Sequence, residues 1–94
     1  MKINQIRAGM NKIELEANVV EKSEERTVLT RYGEKRVAEI VLEDETGRIK
    51  ASLWEEQIDE INVGDRVKID GAYSTEFKNQ LQINIPKKGK IEKL

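Results

Sequence analysis

An all-β domain is the fold class predicted by this sequence. Three observations predict it. Five short stretches alternate apolar and polar residues, turn signals separate them, and only Glu55 to Ile61 fits a helix, of no more than two turns. Ninety-four residues make one domain, 1–94, with room for one modest core.

The elements follow in order. Residues 1–11 read as an irregular lead-in whose Ile3, Ile6 and Met10 can cover one end of a core. Lys12 to Glu21 is a half-buried strand, with Ile13, Leu15, Ala17 and Val19 on one side. Val20 breaks that phase, so a bulge is expected at Val19–Val20. Arg26 to Thr30 is a β-prone extension, and Tyr32-Gly33 is a turn signal. Arg36 to Glu43 is the second strand, with Ala38, Ile40 and Leu42 inward. Asp44-Glu45-Thr46-Gly47 is a tight hairpin turn.

Arg48 to Trp54 is the third strand. Ile49, Ala51 and Leu53 share the core face, so Lys50, Ser52 and Trp54 share the outer one. The short helix follows, and its Ile58 and Ile61 can plug a barrel end. Arg66 to Tyr73 is the fourth strand, where Gly71 signals a bulge or a close backbone approach. Ser74 to Asn79 is expected as a loop carrying Phe77. Gln80 to Ile85 is the fifth strand, with Gln80, Gln82 and Asn84 outward, and Pro86 ends it. Residues 86–94 form a basic C-terminal segment. This order predicts a five-stranded Greek-key OB-fold barrel with a short helix between strands 3 and 4. An SH3-like or other small barrel is the competing architecture.

Composition narrows the function. There is no cysteine and no histidine, which removes the thiolate nucleophile, the commonest general base and the usual zinc ligands. No phosphate loop, calcium loop or nucleophile motif is present, so no enzyme activity, metal or cofactor is expected. Charged residues make up 37% of the chain and no apolar run exceeds three residues, which excludes a membrane helix. A cytoplasmic location is expected, because the start carries no apolar signal core. The net charge of −1 argues against a simple polycation, but the distribution is uneven. Arg26, Arg31, Lys35 and Arg36 stand against Glu34 alone, and Lys87, Lys88, Lys90 and Lys93 against Glu92 alone. The acids gather at Glu43 to Glu45 and along the helix, and read as a solvated turn and a solvated helix face.

The only tryptophan is placed outside with two cations, Arg48 and Lys50, and the Ser52 hydroxyl, and exposing a large flat ring normally means that something binds to it. OB-folds bind oligonucleotides on the face of their second and third strands, between two hairpin loops. Trp54 lies on that face, Phe77 in one wall, and Arg31, Lys35 and Arg36 in or near the other. Stacking platforms beside phosphate partners are what single-strand binding requires. The candidate site is Trp54, Tyr73, Phe77, Lys50, Ser52, Arg31, Arg36, Lys78 and Gln82, with Lys87 and Lys88 as further cations. The bland reading makes Trp54 a core edge, Tyr73 and Phe77 a loop anchor, and Tyr32 a turn residue.

The spaced set Asp44-Glu45-Thr46-Gly47, Ser52-Leu53-Trp54, Val63-Gly64-Asp65 and Gly71-Ala72-Tyr73 through Phe77-Lys78 resembles the simple single-stranded DNA-binding proteins of archaea. It also resembles the OB domains of archaeal replication protein A. The likeness runs from about Ile6 nearly to the end. It implies a non-catalytic binder of single-stranded DNA in replication and repair, with stacking roles for the aromatic residues at Trp54, Tyr73 and Phe77. Some relatives carry a further aromatic where this chain has Asn84. Many continue into a flexible tail that recruits protein partners, a region absent from this chain. Two other readings keep the fold and change the ligand: structured RNA such as an anticodon loop, or a partner peptide.

Overall fold

The computed structural model describes residues 1–86 and 88–94. After a 3-10 turn at Ile3–Gln5, seven strands follow, with one helix. They are β1 (Ile13–Lys22), β2 (Arg26–Thr30), β3 (Gly33–Asp44), β4 (Gly47–Trp54), α1 (Glu56–Glu60), β5 (Arg66–Phe77), β6 (Gln80–Asn84) and β7 (Lys90–Lys93).

The barrel closes through β1-β3-β4-β6-β5 and back to β1. All pairings in this ring are antiparallel except β4 with β6, as closing a ring of five strands requires. β1 serves two partners: its first half pairs β5 and its second half pairs β3. The bulge that lets it turn lies between Val19 and Glu21, where the phase of the sequence breaks.

The expected five strands form this ring, and two more flank it. Arg26–Thr30 is a strand in its own right, paired with β3 along its whole length. The basic C-terminal segment contributes β7, paired with β5. The helix follows the Trp54 strand as expected, but by this count it lies between β4 and β5. The expected loop over Ser74 to Asn79 is mostly strand. β5 pairs β6 as far as Phe77↔Gln80, leaving a two-residue turn, Lys78-Asn79, with both φ values positive (52° and 64°).

The alternating apolar set fills the interior: Ile13, Leu15, Ala17, Ile40, Leu42, Leu53, Val67, Ile69 and Ile83 are all buried. Ile58 and Ile61 close one end, and Ile3 and Ile6 cover another part of the core. Asp44 pins the lead-in. Its carboxylate accepts the Ile3 N–H (2.8 Å), the Thr46 N–H (2.7 Å) and the Thr46 hydroxyl (2.6 Å). Burial works against its charge, but the hydrogen bonds from Thr46, Ile3 and Gly47 outweigh it and hold the carboxyl below the usual carboxylate range. Its neighbours are spoken for as well: Glu43 pairs with Arg48 and Glu45 with Lys2. The acidic turn is therefore a structural fastening.

No helix among the described residues is long and apolar enough to cross a membrane.

Candidate nucleic-acid interface

The outer face of β3, β4, β6 and β5 is one continuous surface, and the registers give its rows. Val37 faces Trp54 across β3 and β4. The next row runs Glu39, Ser52, Asn84, Tyr73, and the one after it Val41, Lys50, Gln82, Thr75. Phe77 and Gln80 stand beyond these. Directly opposed residues point to the same side of a sheet, so Trp54, Ser52, Lys50, Gln82, Tyr73 and Phe77 share one face. Trp54 and Phe77 lie about six residues apart along the strand direction, roughly 20 Å.

Gly71 decides where Tyr73 points. Val67 and Ile69 face inward, and unbroken alternation would turn residue 73 inward too. The β1–β5 register instead passes from Leu15↔Ile69 to Ile13↔Ala72, so β5 carries an extra residue there. Ala72 and Ser74 become the buried positions, and Tyr73 emerges 39% exposed. Gly71 adopts a φ of +77°, and a Cβ there would come within 3.2 Å of the Gly89 Cα. Ser74 locks the shifted phase by accepting the Met10 N–H (2.9 Å) and donating to the Arg7 carbonyl.

Trp54 forms part of a cleft of about 890 Å³ between the β2–β3 hairpin tip and the segment after β6. Thr30, Arg31, Tyr32 and Lys35 line the hairpin side, and Ile85 and Pro86 the other. Tyr32 is 78% exposed at the tip, so the hairpin brings a fourth ring to the end of the face that carries Trp54. At the other end, the Lys78 ammonium sits 5.4 Å from the centre of the Phe77 ring.

Arg36 does not join this surface. It meets Asp59 (3.1 Å), Glu25 (3.1 Å) and Glu55 (3.7 Å), and its backbone N–H donates to Glu55 (2.8 Å). The Asp59 carboxylate, and then Glu25, raise its guanidinium above the usual range. Its charge is consumed in offsetting acids around the mouth of the cleft. Arg26, not a candidate from the sequence, takes a place on the face, whereas Arg36 was expected in or near one wall. Arg26 opposes Val37, and its guanidinium lies 3.6 Å from Glu39. Only the register shows this, since Arg26 is ten residues before Arg36 in the chain. Tyr32 was legible as an aromatic at a hairpin tip. Lys88 is exposed on the far segment, and Lys87 lies outside the described residues.

Residues 7–93 match the family model described as single-stranded DNA binding protein Ssb-like, OB fold. The chain belongs to this family. The Ssb-like proteins are DNA-binding OB-folds without catalytic activity. A relative from Saccharolobus solfataricus, named single-stranded DNA binding protein Ssb, is 37% identical over 90 residues. That match takes in 96% of this chain and 61% of the relative, so the chain spans under two thirds of the relative's length. Among solved structures, the OB domain of Ta0387 from Thermoplasma acidophilum superposes with a TM-score of 0.86 at 21% identity, covering all of this chain and 85% of that one. The replication factor A related protein from Methanobacterium thermoautotrophicum gives a TM-score of 0.83 at 24% identity, covering all of this chain and 89% of that one. At these identities both likenesses speak for the fold. They agree with the OB-fold barrel.

Proposed function

We propose that this Ssb-like chain binds single-stranded DNA with little sequence selectivity, as a non-catalytic factor in replication and repair. Bases stack on Trp54, Tyr73 and Phe77, with Tyr32 as a further platform at the hairpin tip. Lys50, Arg31, Lys35 and Lys78 neutralise phosphates, and Ser52 and Gln82 offer hydrogen bonds between them. One observation carries the reading: three rings, Trp54 at the end of β4 and Tyr73 and Phe77 on β5, emerge on the same water-facing surface, beside cations. Stacking of this kind is sequence-tolerant, because every base has a π-face. The name of the Saccharolobus solfataricus relative supports the same ligand.

The test is titration of the intact chain with oligo-dT at low salt, following Trp54 emission. Quenching that saturates is expected. Absence of quenching would reject the reading. So would full affinity in a Trp54→Ala/Phe77→Ala double variant, measured with a labelled oligonucleotide. Competition with oligo-rU and transfer RNA separates DNA from RNA preference.

A further inference from the structure

One acid stands in the middle of the proposed binding face. Glu39 lies on β3 between Val37 and Val41, opposite Ser52 and one step diagonal to Trp54. Its side chain is 34% exposed. Its backbone is fixed on both sides, donating its N–H to the Ser23 hydroxyl (2.9 Å) and accepting the Ser23 N–H (2.8 Å). Two cations flank the carboxylate, Arg26 at 3.6 Å and Lys50 at 4.0 Å, both beyond ordinary hydrogen-bond distance. Other acids nearby are held differently. Glu43 accepts from Arg48 at 2.6 Å, and Glu55 accepts the Arg36 N–H at 2.8 Å. Glu39 alone among these three is held by charge while its lone pairs stay available.

A carboxylate is an odd neighbour for phosphates, which it repels. It is a good neighbour for a base edge that carries an amine. An ionised carboxylate only accepts hydrogen bonds. Cytosine offers its N4 amine to such a group. Thymine presents its single N–H between two carbonyl oxygens, whose lone pairs face the acid. Cytosine and thymine have the same ring size, so the rings that stack them cannot separate them well. The edge can.

Resting on the reading that single-stranded DNA lies across this face, we propose that Glu39 biases the site toward cytosine and against thymine. Glu39 accepts from the N4 amine of a base stacked at or next to Trp54. Arg26 and Lys50 flank the carboxylate and hold it in place. The result is a preference in base composition within an otherwise sequence-tolerant site.

The test compares oligo-dC and oligo-dT of equal length, near neutral pH and at one salt concentration, with the parent chain and Glu39→Gln. The parent is expected to bind dC about five- to tenfold more tightly than dT, the scale of one net hydrogen bond. In Glu39→Gln the amide both donates and accepts, so the ratio should fall to near one, mainly because dT binding improves. A parent that binds both alike, or a preference that persists in Glu39→Gln, overturns this inference and leaves single-strand binding standing. Failure of the parent to bind either strand removes the proposed function and this inference with it. The two carboxyl derivatives have the same shape, and matched melting curves establish that the variant is folded.

Discussion

Trp54 and Val37 are cross-strand partners on the outer side of the barrel, and Val37 is only 3% exposed there. Val37 lies outside the core cluster, so something on the surface must cover it. The indole directly opposite is the large side chain in position to do so. Trp54 thus has two places at once: directly opposite the buried Val37, and in the lining of the cleft.

That double placement has a measurable signature. Trp54→Ala should weaken oligonucleotide binding by about 5- to 100-fold, the usual range for one stacked base. It should also lower stability, because Val37 becomes wet. Trp54→Phe should restore most of both. Val37→Ala should lower stability by about 1–2 kcal/mol with a smaller loss of affinity than removal of the ring. Labelled-oligonucleotide anisotropy and urea unfolding read the two effects separately.

Gly71 should be intolerant of a side chain. Gly71→Ala places a Cβ in the left-handed region and against the Gly89 backbone. We expect a cost of about 2 kcal/mol and a melting temperature lower by roughly 10 °C. Near-UV circular dichroism should report a changed tyrosine environment, since Tyr73 depends on the bulge for its direction.

Salt dependence should distinguish the cations on the face from the one beside it. Each phosphate contact contributes about −0.7 to the log–log slope of affinity against salt. Lys50→Ala and Lys35→Ala should each flatten the slope by about that amount. Arg36→Ala should leave the slope unchanged and lower the melting temperature instead, because its three carboxylate partners lose their counter-charge.

Asp44 should make part of the stability pH-dependent. Although burial opposes it, the hydrogen bonds from Thr46, Ile3 and Gly47 hold its folded-state carboxyl below the usual carboxylate range. A depressed folded value means that the stabilisation is fully present above the unfolded value and is lost as pH falls through the folded one. Asp44→Ala should therefore cost about 1–3 kcal/mol at pH 7. The gap to the parent should stay constant down to about pH 5 and narrow below about pH 4. Urea unfolding at several pH values checks this.

Much of the fold was legible because the alternation is clean. Ile49, Ala51 and Leu53 fix the phase of β4, and with it the side on which Trp54 emerges. Val20 announces the β1 bulge by doubling an apolar position. The extent of β5 was not legible. Ser74, Thr75 and Glu76 carry no apolar signal, and the strand there is held by pairing with β6 and by Ser74 hydrogen bonds to the lead-in. A turn of Lys78-Asn79 lacks the glycine that marks such hairpins. Arg36 was expected, with Arg31 and Lys35, in or near one wall of the groove. Neighbouring residues in a strand point to opposite sides, and Arg36 finds Glu55 and Asp59 at the barrel end. Glu39 was legible as an outward residue from the alternation with Ala38 and Ile40, whereas the place of Arg26 needs the register of β2 with β3, which no single segment encodes.

The central claim is that Trp54, Tyr73 and Phe77 act together as one platform for single-stranded DNA. A chemical-shift map of the isotope-labelled chain with a short single-stranded oligonucleotide tests it most directly. The account predicts that the Trp54 indole N–H, the Tyr73 and Phe77 ring protons and the amides of Lys50, Ser52 and Gln82 shift together, with one titration curve. Shifts confined to the opposite side of the barrel, or rings that titrate with different affinities, would contradict it.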